Sequence, residues 1–245
     1  MRVALRTDVG RSRAINEDCA FADPDLGLAI LADGMGGHAA GEIASNLAVK
    51  TLAGSVAVAV NSGIGEGRSE SIESILSRSI EDANQTIRAR ALEDVNFKGM
   101  GTTVVVALSQ GSSVHIAHVG DSRAYVMHEG RLRQITRDHS LVAEMVAAGE
   151  ISEKEARSHR LRYVLTRTLG NEPVVQADVQ EVRWQDEDCL MLCSDGLTNM
   201  IEDRRIEKIL RRCGKNLERA CEELVEAANS RGGGDNITVI LACPV

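Results

Sequence analysis

Short apolar blocks broken by glycine and acidic residues occupy the first part of the chain, and helical spacing follows. Residues 2–7 predict a short strand, and the apolar run from Leu28 to Ala32 predicts a buried one that ends at Asp33 and a Gly-Met-Gly-Gly turn. Cys19-Ala20-Phe21 begin another strand, entered through Glu17 and Asp18. DPDLG at 23–27 reads as the turn joining it antiparallel to the run at 28–32. From about Ala40 to Val60, Ile43, Leu47, Leu52, Val56 and Val60 fall on related helical faces, although Gly54 weakens the pattern and Val56, Val58 and Val60 also alternate. NSGIGEGRSE at 61–70 reads as a flexible linker. Ile72, Ile75, Leu76, Ile80, Ala83 and Ile87 then define an amphipathic helix reaching about Leu92.

The stretch from Gly99 to Thr136 contains four β-rich runs, split at Gln110-Gly111, Gly120-Asp121 and Glu129-Gly130, which predict an antiparallel meander. Residues 139–160 turn helical and highly charged. DCLMLCS at 188–194 predicts a buried strand followed by Asp195-Gly196, and helices are predicted over 203–212 and 216–229. The triple glycine 232–234 leads through Asp235-Asn236 into a last strand, ITVILAC. With no internal repeat and no clear linker between domains, this order predicts an α+β architecture, helices packed on antiparallel sheets.

Composition narrows the partners. The 245 residues carry a formal net charge of −8, which disfavours nucleic acid or an anionic membrane as the main partner. No apolar run reaches the ~18 residues of a membrane span, and the N-terminus lacks the apolar stretch of a secretory signal. Only five aromatics are present, so the core is expected to be Val, Ile, Leu and Ala. Six cysteines without a CxxC pair read as reduced thiols of a cytoplasmic protein.

The candidate chemistry lies in four aspartates. Asp33, Asp121, Asp195 and Asp235 each sit beside glycine at the end or start of an apolar run. An Asp-Gly pair alone also fits an ordinary turn; four such sites poised at strand ends point further. Carboxylates and a glycine carbonyl, here that of Gly34, are hard oxygen donors that suit Mg²⁺ or Mn²⁺ rather than zinc. His115 and His118 do not form a zinc pattern. Two such ions about 4 Å apart clamp a phosphate and acidify a water, so that no Ser, Cys or His nucleophile is needed. Arg13 is a candidate for bidentate contact with phosphate oxygens.

TDVGRSRAINED, LADGMGGHAAGEIAS, GMGTTVVVAL, VGDSRAYV, ITRDHSLV, CSDGLTNMI and GGGDNITVI occur in this order. With them the chain resembles the metal-dependent serine/threonine protein phosphatases of the PPM, or type-2C, family in their compact bacterial form. The resemblance covers nearly the whole length. It implies one catalytic domain over 1–245 with a four-layer αββα sandwich: two central antiparallel β-sheets flanked by helix pairs, metals at one edge, and a variable flap at about 138–170 that bears on substrate choice. By position, Asp33 matches the carboxylate bridging both metals, Gly34 the carbonyl ligand, and Asp195 and Asp235 the remaining ligands of the binuclear centre. Asp18, with Glu17 beside it, matches the acidic pair that holds metal-bound water. Arg13 matches the phosphate-binding arginine, and Asp121 the carboxylate that binds a third metal together with Asp195.

Two positions depart from the family pattern. Met35 stands where eukaryotic members often carry a histidine proposed as general acid, and His38, three residues on, is the remaining candidate. Asn199 replaces a further aspartate of some relatives, and an amide is a poorer ligand. The resemblance implies hydrolysis of phosphoserine and phosphothreonine on proteins by a Mn²⁺ or Mg²⁺ centre that activates water directly, without a phospho-enzyme. It further implies a monomeric cytoplasmic enzyme opposing a eukaryotic-type bacterial serine/threonine kinase. The alternatives are a pseudophosphatase that binds a partner without catalysis, and a hydrolase of small phosphate esters; the chain has no Walker-type loop.

Overall fold

The computed structural model describes residues 1–36, 40–62 and 71–244. His38, and the predicted linker from residue 63 on, lie outside these residues. The elements in chain order are β1 (Arg2–Asp8), β2 (Asp18–Asp23), β3 (Leu28–Met35), α1 (Ala40–Asn61), α2 (Ile72–Glu93), β4 (Gly101–Thr102), β5 (Val104–Gln110), β6 (Ser113–Val119), β7 (Arg123–His128) and β8 (Arg131–Gln134). They continue with α3 (Leu141–Ala147), α4 (Glu153–Ser158), β9 (Asp178–Arg183), β10 (Cys189–Cys193), α5 (Asp195–Thr198), α6 (Asp203–Cys213), α7 (Leu217–Asn229) and β11 (Ile237–Cys243). One sheet has the order β1-β11-β10-β7-β8. The other has β2-β3-β5-β6-β9, with β4 beside β3, and every pairing is antiparallel.

Period-2 alternation splits the core into three layers. Leu28, Ile30, Val104, Val106 and Leu108 face α1 and α2. Tyr125, Met191, Val239 and Leu241 face α6 and α7. Ala29, Leu31, Val105, Ala107, Ala124, Val126, Leu190, Leu192 and Ile240 fill the space between the sheets. The order helix pair, sheet, sheet, helix pair is the predicted αββα sandwich. Each buried Leu or Ile contributes about 1.5–3 kcal/mol. α1 is long and apolar enough to cross a membrane by length and composition. Its Ala44, Ala48, Leu52 and Val56 instead belong to the core between the helices and the sheet, which accounts for that apolarity. All six cysteines are free thiols.

Three differences from the sequence reading have physical causes. The four runs after Gly99 are not one meander: β5–β6 and β7–β8 are separate hairpins in different sheets, because the chain crosses the sandwich at 120–122. Alternation reports a buried face, not which sheet a strand joins. Strand β9 was not predicted. It is an edge strand whose Val179 and Val182 face opposite sides, so it has no period of two. Strand β3 runs two residues past Asp33, since Gly34 and Met35 pair with Thr102 and Gly101.

Candidate metal centre

The alternation that builds the core between the sheets also builds the site. Extended past the last apolar residues, the inward positions become Asp33 after Leu31, Asp18 before Ala20, Ser194 after Leu192, Thr238 before Ile240 and Thr103 before Val105. One end of the layer between the sheets is therefore polar. Asp18 and Asp33 are direct cross-strand partners. Like charges so placed are destabilising in a sheet.

Hydroxyls and amides fix these carboxylates. Ser194 Oγ donates to Asp18 Oδ2 at 2.8 Å and accepts from the Thr238 N–H at 3.0 Å. The Asp33 N–H donates to Thr103 Oγ1 at 3.2 Å, and Thr103 Oγ1 lies 2.8 Å from Ser122 Oγ. Asn236 ties the 9–17 loop to the start of β11. Its Oδ1 accepts from the Glu17 N–H at 2.8 Å, and its Nδ2 donates to the Val9 and Ile15 carbonyls at 3.0 Å each. The Asn236 N–H in turn holds Asp235 Oδ1 at 2.9 Å. The glycine of the SDG motif is steric: a Cβ on Gly196 would stand 1.9 Å from the Asn236 carbonyl. Gly34 is similar, with a Cβ there 2.1 Å from the Gly41 carbonyl oxygen and 2.7 Å from that of Glu17.

Asp33, Asp18, Asp195 and Asp121 converge, and the charges of Asp18, Asp121 and Asp195 raise the proton affinity of acids beside them, while a hydrogen bond from Asp33 lowers that of Asp195. Burial, then the charges of Asp18, Asp195, Asp121 and Asp235, push Asp33 well above the carboxylate range. Burial, then Asp195 and Asp138, do the same to Asp121 against the pull of Arg123. Burial pushes Asp18 up to about 7 and, joined by the Asp235 charge, Asp195 up to about 6. Burial raises Glu17 as well. Two carboxylate oxygens, Asp18 Oδ1 and Glu17 Oε1, are buried without a hydrogen-bond partner. A cluster of acids with orphaned oxygens and, among the described residues, no imidazole beside them fits hard divalent cations, Mn²⁺ or Mg²⁺.

Arg13 stands at the mouth. Its NH2 donates to Asp235 Oδ2 at 2.8 Å and its NH1 lies 3.8 Å from Glu17 Oε2. Asn199 turns its amide nitrogen to Asp195 Oδ2 at 2.9 Å, so it acts here as a donor to Asp195. The structure thus brings together Arg13, Glu17, Asp18, Asp33, Asp121, Asp195 and Asp235.

Several supports were missed in the sequence. Arg123 grips Asp138 through Nε and NH2, with contacts of 2.6–3.1 Å, and donates to Tyr125 Oη at 3.0 Å, fixing the chain beside Asp121. Behind Gly120, His118 and His139 stack at 4.6 Å, and His139 Nε2 faces Asp178 Oδ2 at 3.4 Å. This trio is not a metal site. His139 Nδ1 accepts from the Gly120 N–H at 3.1 Å, which leaves the ring proton on Nε2, and His118 Nε2 serves the Arg137 carbonyl at 2.8 Å. Burial and the neighbouring His118 push His139 down to about 4, so it stays neutral. The 138–170 segment closes on itself here. The Leu141 N–H donates to the Val164 carbonyl and the Thr166 N–H to the His139 carbonyl, each at 2.9 Å.

Known proteins resemble this chain over nearly its whole length. The family model described as Protein phosphatase 2C matches residues 11–235. The chain is 43% identical over 244 residues to the serine/threonine phosphatase stp of Listeria welshimeri, covering 98% of this chain and 95% of that protein. It superposes on the Mycobacterium tuberculosis serine/threonine phosphatase PstP/Ppp with a TM-score of 0.88 at 35% identity, covering 99% of this chain and 97% of the other. The catalytic domain of PstP in complex with two manganese ions gives a TM-score of 0.85 at 34% identity, with the same coverage.

Proposed function

The chain belongs to the protein phosphatase 2C family, and from that membership we infer that it is a metal-dependent serine/threonine protein phosphatase whose centre is the carboxylate cluster at the end of the sandwich. The observation that carries the site assignment is the cross-strand pair Asp18–Asp33 with Asp195 and Asp121 converging on it, an arrangement whose repulsion is relieved by bound protons or by cations. Asp33, Asp195, Asp235 and the Gly34 carbonyl are the proposed ligands of two Mn²⁺ or Mg²⁺ ions, with Asp121 at a third. Such a pair of ions supplies Lewis acidity and a water acidic enough to ionise near neutral pH.

The chain's own groups do the rest. Arg13, half-exposed beside Asp235, receives the phosphate oxygens with its planar fork. Asp18, held by Ser194, and Glu17, placed by Asn236, orient water at the centre. Ser194 is fully buried, and its hydroxyl donates to one group and accepts from another, so it is not a nucleophile. The proposed acceptor of the phosphoryl group is water, with no phospho-enzyme. The 138–170 segment is the proposed flap, and the kinase that phosphorylates the substrates the proposed counterpart. Free thiols fit a reducing cytoplasm, and helix pairs covering both sheets fit a monomer.

Calorimetric titration with Mn²⁺ tests the ligand set. The wild type is expected to bind two ions tightly. Asn199→Asp, which exchanges the amide donor at Asp195 for a carboxylate, is expected to bind a third at least ~10-fold more tightly than the wild type. Absence of two-ion binding would remove the centre from these residues, and an unchanged third site would detach Asn199 from it.

A further inference from the structure

A groove of about 1020 Å³ opens from Asp121 and Asp195 between the 138–170 segment and the 198–205 stretch. The flap side presents Val142, Val146 and Ala156 together with Arg157 and Arg162, and the opposite side carries Arg204, Arg205 and Arg231. Asp138 is neutralised by Arg123, and Glu202 lies 3.6 Å from Arg157 across the groove. Arg137, Arg204, Arg205 and Arg231 remain exposed and make no ion pair among the described residues, against Glu153 and Asp203 and, at the end of the groove, the metal-centre candidates Asp121 and Asp195.

Two features argue that these arginines serve a ligand rather than the fold. Arg204 and Arg205 occupy the first turn of α6. The acidic charge that the helix dipole favours there is already supplied by Asp203 and the N-cap Glu202, so a cation in that turn opposes the dipole and does nothing for the helix. The chain as a whole carries −8, so the cluster runs against the global charge and is local to the groove.

We propose that this groove docks an acidic segment of the phosphoprotein substrate adjoining the phosphorylated residue. The proposal rests on the phosphatase reading, since the groove is continuous with Asp121 and Asp195. A substrate whose phosphothreonine sits at the centre extends its flanking chain along the groove. Acidic side chains then meet Arg204, Arg205 and Arg231, and small apolar ones meet the flap wall.

The test uses two phosphothreonine peptides of equal length, one flanked by glutamates and one by lysines, with the Mn²⁺-loaded full chain. The ratio of their kcat/KM values is expected to favour the glutamate peptide by ~10-fold or more, the worth of two or three partly exposed ion pairs. In Arg204→Glu/Arg205→Glu, and separately in Arg231→Glu, that ratio is expected to fall toward one. A wild-type ratio near one, or a ratio unmoved by both variants, overturns the proposal. So does equal inhibition of both peptides by an unphosphorylated glutamate peptide at a ratio near one, which would assign the groove to a separate acidic partner. p-Nitrophenyl phosphate, which has no flanking chain, reports the centre alone. Release of phosphate from neither peptide nor p-nitrophenyl phosphate would instead defeat the phosphatase reading.

Discussion

Asp33→Asn is expected to lower Mn²⁺-dependent phosphate release by ~10³-fold or more while making the metal-free protein more stable. Both effects come from one geometry. Asp33 is the cross-strand partner of Asp18 and feels Asp195, Asp121 and Asp235 as well. Removing its charge deletes the proposed bridging ligand of the two ions, and with it the positive field that the phosphate needs. The amide keeps the volume of the carboxylate and relieves the repulsion, so the metal-free variant should melt about 2–5 °C higher near pH 8. At lower pH the wild-type carboxyl takes up its own proton and the gap should narrow. Activity measured with a phosphothreonine peptide, and melting measured in EDTA at two pH values, check the two halves. A variant that loses activity and also stability would mean that Asp33 is held by something other than a metal.

The second large effect is the response of stability to Mn²⁺ and pH. Carboxylates in an unfolded chain titrate near 4. In the folded, metal-free protein burial, joined by neighbouring charge, pushes Asp18 up to about 7 and Asp195 up to about 6, with Asp33 and Asp121 also raised. The native state therefore binds more protons than the unfolded state between about pH 4 and 7. That contribution to stability is complete below the unfolded value and is lost as pH rises through the folded ones. The metal-free protein should melt at a higher temperature near pH 6 than near pH 8. Mn²⁺ competes with those protons, so its stabilisation should be larger at pH 8 than at pH 6. At 100 times the dissociation constant one site contributes about 2.7 kcal/mol, or about 5–10 °C for a chain of this length. Melting curves in EDTA and in Mn²⁺ at both pH values read this directly. A metal-free protein that gains stability toward pH 8, or a Mn²⁺ shift equal at both, would contradict the charge account.

The candidate ligands stand out in the sequence because each aspartate lies beside a glycine at the end or start of an apolar run. After Asp195 the backbone comes too close for a side chain: the Asn236 carbonyl occupies the space of a Cβ on Gly196. The helices were legible from their spacing, α2 from Ile72 to Ile87 above all. What stayed hidden joins residues far apart in the chain. Ser194 and Asp18 are 176 positions apart, and no local pattern links a serine to an aspartate at that distance. The crossing at 120–122 was invisible because β5, β6 and β7 all alternate in the same way. The arginines of the groove come from residue 137, from the start of α6 and from residue 231, so only the fold gathers them. His38, the candidate acid, lies outside the described residues.

The most direct test of the central claim is phosphate release from a phosphothreonine peptide by the full chain, first with Mn²⁺, then with excess EDTA, then with Mn²⁺ restored. Release that stops in EDTA and returns with the metal is the predicted result. Release that continues undiminished in EDTA, or none from folded protein loaded with Mn²⁺, would contradict a metal-dependent phosphatase centred on Asp33.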